Sequence, residues 1–144
     1  MTLSELNRRV QALEILKLFA QCVEENKEYI ADLNTLQLAV GKDSNDKSLY
    51  PYASDDYAKY KKAIGSEAPL GTPNLKLTGD FWEGFEAKAD KDANVFITST
   101  DSKTGKLKQM YDDDIFGLTD KSKADLKTVL LPNLLNKTRH ELFR

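Results

Sequence analysis

The spacing of apolar residues changes period along this chain, and that change restricts the fold more than any single motif. Leu3, Leu6, Val10, Leu13, Leu16, Phe19 and Val23 recur every three or four positions, which places one apolar stripe on a helix over about 4–28. Thr2 and Glu5 have the spacing of a capping box at its start. Such a helix is roughly 37 Å long at 1.5 Å per residue, so part of it reaches past its own core, as a core helix or as an oligomer contact. Near residue 81 the period becomes two. Phe81, Phe85, Ala87 and Ala89 alternate with Trp82, Glu86 and Lys88, the pattern of a strand with one buried face. NVFITST follows as a β-branched strand, and KLKQMY reads as a further one after the turn DSKTG. Behind Thr119 the helical period returns over about 120–142, where Pro132 predicts a kink or a division. The expectation is an α+β fold in a single domain, 1–144. It has a long N-terminal helix, a short middle helix, an antiparallel sheet of three or four strands over about 74–111, and a C-terminal helix.

The middle of the chain is irregular. LNTLQLAV suits either a short strand or a second helix, and GKDSNDKSLYPYAS reads as a loop of turn formers. DSNDKS does not match a calcium loop, because Lys47, Ser48 and Ser54 stand where an oxygen ligand, the turn glycine and a bidentate Glu belong. SDDYAKYKKAIG predicts a helix over about 55–64. Ser54 is its cap, acids fill its first turn, lysines its last, and Gly65 its stop. Tyr50, Tyr52, Tyr57 and Tyr60 gather around it. Tyrosine with lysine is a nucleic-acid stacking combination, but lysines answering the dipole and tyrosines packing the loop account for it better. GSEAPLGTP, 65–73, predicts an exposed, mobile connection.

Charged residues are 31% of the chain, apolar ones 40%, and the net charge is −2. That balance argues against general affinity for nucleic acid or anionic membrane. Cys22 is the single cysteine, which rules out an intrachain disulfide or a thiolate metal cluster within one chain. The charged N-terminus lacks the apolar core of a signal peptide, and no run approaches the roughly 20 apolar residues of a membrane span. These features predict a soluble protein made in a reducing cytoplasm. The acidic run Asp112–Asp114 is the one dense carboxylate cluster. A metal-dependent hydrolase holding its ion on Asp112 and Asp114 is the enzyme alternative. Consecutive acids point in different directions, however, and no catalytic motif accompanies them. A solvated turn is the simpler reading, and His140 is simplest as an exposed helix-end residue. No catalytic, cofactor or metal residue is expected.

Taken in order, LKLTGDFWEGFEAK, VFITS, a turn, DDDIFGLT and a closing helix resemble bacteriophage virion-morphogenesis proteins of the tail-completion and head–tail joining type. LQLAVGKDSNDKSLYPYASDDYAKYKK is similar to the polar loop and Tyr-Lys helix of that group, and the likeness covers roughly 30–142. It implies structural motifs at Thr78 and Gly79, where the sheet opens, and at Phe116, Gly117 and Leu118, before the last helix. It further implies a non-enzymatic virion protein at the phage neck or tail end, assembled in the host cytoplasm. Its partners would be copies of itself in a ring and other neck and tail proteins. Proximity to packaged DNA, without sequence-specific recognition or a membrane, belongs to the same picture. A bacterial protein-interaction adaptor is the alternative outside the virion. Trp82, on the strand face opposite Phe81 and Phe85, would sit under a helix or meet a neighbouring subunit. Tyr50, Tyr52 and Tyr57 are the other interface candidates.

Overall fold

The N-terminal part of the chain folds as three helices, and the apolar stripe is divided between the first two. In the computed structural model, which describes residues 1–76 and 79–144, these are α1 (Leu3–Gln11), α2 (Ile15–Glu25) and α3 (Lys27–Ala39). The capping box is present: Thr2 Oγ1 accepts from Glu5 N at 3.1 Å, and Glu5 Oε2 accepts from Thr2 N at 2.8 Å. The expected helix over 4–28 first breaks at 12–14, where Leu13 N turns back to Val10 O. The break brings α1 to the end of the C-terminal helix, where Arg9 Nη1 donates to Leu142 O and Arg144 O, each at 2.9 Å. The second break is at Asn26, whose Nδ2 donates to Cys22 O at 2.8 Å. A short amide side chain competing for a helical carbonyl favours a change of direction, and Ile30 N restarts the ladder on Asn26 O.

LNTLQLAV lies in α3. This helix buries Ile30, Ala31, Leu33, Asn34, Gln37, Leu38 and Ala39, a wide face that leaves Tyr29, Asp32 and Leu36 exposed on the other side. Further along, Ser54 caps α4 (Asp55–Ala63) by accepting from Tyr57 N at 3.2 Å, as the sequence leads one to expect. The connection 65–73 is less exposed than expected, because Ala68 and Pro73 are buried. They close over Gly41, where a Cβ would stand 2.3 Å from Thr72 Cγ2.

Among the described residues the sheet has two strands, not three or four: β1 (Phe85–Ala89) and β2 (Val95–Ser99), antiparallel, with Ala87 opposite Ile97. Asp90 shapes their turn by accepting from Asp92 N and Asn94 N at 2.9 Å, and these amides hold its carboxyl below the usual range. Two segments expected in the sheet are helical. Phe81 and Trp82 lie in the short α5 (Asp80–Glu83), entered through Gly79 at φ +92°. KLKQMY lies in α6 (Thr104–Tyr111), in keeping with the helix propensity of Leu, Lys, Gln and Met. Phe81 and Phe85, four apart, meet edge to face at 5.0 Å.

Thr119 caps α7 (Asp120–Phe143) by accepting from Ser122 N. Pro132 does not divide this helix. Pro132 and Thr128, whose carbonyl loses its donor to the proline ring, are both exposed, so water can satisfy that carbonyl. Two apolar clusters form the core. One joins α2, α3, β1 and α7 around Val23, Ile30, Leu33 and Leu130. The other joins α3 to Phe81, Phe85 and Ile115, and Ile97 packs against both.

Candidate functional site

The segment Ile115–Thr119 positions the surfaces on this side of the molecule. It runs past α3 and is held there by two buried amides one helical turn apart. Asn34 donates Nδ2 to Ile115 O at 2.9 Å and accepts from Gly117 N at 2.8 Å. Gln37 donates Nε2 to Gly117 O at 2.9 Å and accepts from Thr119 N at 2.9 Å. Four backbone groups in alternating order are thus matched by two side chains that each offer one donor and one acceptor side. Gly117 sits at φ +132°, and a Cβ there would stand 3.0 Å from Ser44 Cβ. Gln37 belongs to the glutamine-leucine pair that precedes the loop in the family resemblance, whereas Asn34 did not stand out in the sequence. The available signal was two amide residues three apart in an otherwise apolar helical stretch.

The outer side of this segment forms one wall of a cleft of about 680 Å³, and the four consecutive residues Val95–Thr98 form another. These residues belong to β2, which has no second strand partner among the described residues, so the cleft lies beside a free strand edge. Val95 and Phe96 are exposed. Lys108, paired with Asp113 at 3.1 Å, and Lys123 stand at the cleft. Beyond Lys123 and Leu126 the apolar lining continues along α7 to Leu130, Leu131 and Leu134.

The aromatic residues singled out in the sequence gather on a different side. Tyr52 and Tyr57 meet edge to face at 5.0 Å, and Tyr57 stands 6.0 Å from Tyr60. Tyr50 is 77% exposed. Trp82 is half-buried on α5, with its Nε1 donating to Asn74 O at 3.1 Å and Lys76 Nζ 4.9 Å from its ring centroid. It therefore leaves the strand face assigned to it, and its indole N–H is used inside the subunit. Tyr52, Tyr57, Tyr111, Phe81, Leu107 and Met110 surround a cavity of about 370 Å³ that Lys61 and Lys76 also line. Lys61 is only 3% exposed, and its Nζ donates to Lys76 O. Burial, then the neighbouring Lys76, lowers the Lys61 pKa. Burial, then Tyr57, pushes Tyr52 up to about 12, against the effect of a hydrogen bond from the Asn74 backbone. The same two causes raise Tyr111. Sequence reasoning missed Lys61, which reads as a dipole-complementing lysine in the last turn of α4.

The remaining candidates lie apart. Thr78 falls outside the described residues. Gly79 opens α5 at the rim of the tyrosine cavity, and Phe116 and Leu118 face the β2 cleft while also packing into the core. Asp112, Asp113 and Asp114 are exposed, and among the described residues no group of three potential ligands converges to hold a metal ion. His140 is exposed in the last turn of α7. Cys22 is buried, which raises its thiol pKa. No described helix is long and apolar enough to cross a membrane. No family model, curated protein or solved structure matches the chain.

Proposed function

We propose that this chain is a non-enzymatic structural protein of a bacteriophage virion. It serves at the neck or tail end, where copies close into a ring in head–tail joining or tail completion. The resemblance carried by LKLTGDFWEGFEAK and DDDIFGLT supports the class. One observation supports the assembly: α1 buries none of its side chains, although Leu3, Leu6 and Val10 form an apolar stripe. Leu3 is 85% exposed and Val10 48%. A head-to-tail contact needs two unlike surfaces on one subunit, and the α1 stripe and the β2-edge cleft are two such surfaces. An open, apolar strand edge is a liability that assembly removes. The partners are further copies of the chain and other neck and tail proteins, assembled in the host cytoplasm.

Mass spectrometry of purified particles tests the class, with the chain expected in a fixed, multiple copy number. Its absence from intact particles removes the virion reading. The double variant Leu3→Glu/Val10→Glu tests the surface. It should keep the circular dichroism of the parent, since both positions are exposed, and lose incorporation into particles. Normal incorporation would exclude α1 as the contact.

A further inference from the structure

We propose that the cavity between α4, α5 and α6 is a binding site for a small aromatic carboxylate, with Lys61 receiving the carboxylate and Tyr52, Tyr57 and Tyr111 enclosing the ring. The inference does not depend on the virion reading. Buried lysines are rare unless a carboxylate or comparable anion compensates them. Lys61 is 3% exposed, and among the described residues neither it nor Lys76 has a carboxylate within ion-pairing distance. Among the described residues its Nζ donates to one carbonyl, that of Lys76, whereas an ammonium carries three donors.

The cavity beside Lys61 has the other properties of a ligand site. Its volume, about 370 Å³, lies in the range of small-molecule pockets, which combine apolar and aromatic walls with a few converging polar groups. Phe81, Leu107 and Met110 supply apolar wall. The tyrosines supply flat faces, and burial raises the phenol pKa of Tyr52 and Tyr111 further from neutrality. The other cations are engaged elsewhere: Lys76 lies over the Trp82 ring and Lys103 pairs with Asp101 at 3.8 Å. One uncompensated buried charge calls for a monoanion. A dianionic phosphate would leave its second charge against apolar walls.

Benzoate is the probe, with benzyl alcohol lacking the charge, acetate lacking the ring, and inorganic phosphate as controls. Trp82 is the single tryptophan and lies under Lys76, so its fluorescence reports the site alongside the thermal midpoint of the full chain. Benzoate should raise the midpoint and change the fluorescence saturably, with each control at least about tenfold weaker. Lys61→Met should abolish the benzoate response while raising the ligand-free midpoint, because an uncompensated buried charge is replaced by an apolar side chain of similar length. Should Lys61→Met not fold, Lys61→Gln is held to the same loss of response. Equal responses to benzoate and benzyl alcohol, a phosphate response matching benzoate, no saturable benzoate response, or a benzoate response retained without Lys61 would each overturn the proposal.

Discussion

The polar groups buried beneath α3 and those buried behind α4 are treated in opposite ways. Under α3, Asn34 and Gln37 are neutral, and each is matched by one backbone donor and one backbone acceptor from 115–119. Behind α4, Lys61 brings a whole charge out of water and meets a single carbonyl beside an open cavity. A satisfied network specifies one arrangement of the chain, whereas an undercompensated buried charge costs stability. The amides thus serve the fold, and Lys61, inside the segment similar to a Tyr-Lys helix, is the better candidate for binding.

The largest effect that would test this contrast is expected from Asn34→Leu. It strips the partner from a buried carbonyl and a buried amide, and an unsatisfied buried group costs about 1–3 kcal/mol each, so a loss of about 3 kcal/mol or more should appear in urea unfolding. A loss below about 1 kcal/mol would mean that water replaces the amide and that the two regions are alike. Gly117→Ala should come next, at about 2 kcal/mol, because the left-handed φ strains any Cβ-bearing residue and the added carbon meets Ser44. An unchanged urea midpoint would show that the segment can shift without breaking the amide ties.

On the α4 side the contrast can be read through pH. Tyr52 holds its proton to about 12 in the folded chain, against about 10 when unfolded. Its contribution is flat below pH 10 and falls between pH 10 and 12, where the unfolded chain ionises first. Lys61 has the opposite sign: its lowered pKa penalises the charged folded state at neutral pH, and that penalty fades as pH rises towards 10.5. Tyr52→Phe should therefore remove the highest step of the tyrosinate absorbance titration and flatten the alkaline loss of stability. Persistence of that step would assign it to another tyrosine.

The smallest effect belongs to the exposed tie between α2 and α7. There Lys137 and Asn133 donate to Glu25 at 2.7 and 3.1 Å and lower its pKa. Its contribution is present above the ordinary value of 4.5 and is lost as pH falls through the folded one. Glu25→Gln should lower stability slightly at neutral pH and flatten the acid limb of a stability titration, and a loss at neutral pH larger than that of Gly117→Ala would invert the ranking.

What could be read from the sequence was what is local. Thr2, Ser54 and Thr119 cap helices with partners three residues away, so the start of α1, α4 and α7 were legible. The hairpin strands were legible from the alternation Phe85, Ala87, Ala89. Phe81 and Phe85 misled because a spacing of four satisfies both a strand face and a helix face. KLKQMY misled because Lys-Leu-Lys alternates while its residue types favour a helix. The break at Asn26 depends on which way one amide side chain turns. The burial of Lys61 depends on Lys76 and on residues far along the chain, such as Tyr111, that no local pattern places beside it.

The amide ties between α3 and the 115–119 segment have a consequence for how the chain is made. Their partners lie 80 to 83 residues apart, so closing them means closing a long loop, and contacts of high separation form slowly. During synthesis α3 leaves the ribosome long before the backbone groups that satisfy Asn34 and Gln37. Until Thr119 has emerged, the central helix carries two unmatched amides on the side that will become core. This side of α3 therefore stays unsettled until the 115–119 segment emerges, and that segment acts as the key that lets the earlier part settle.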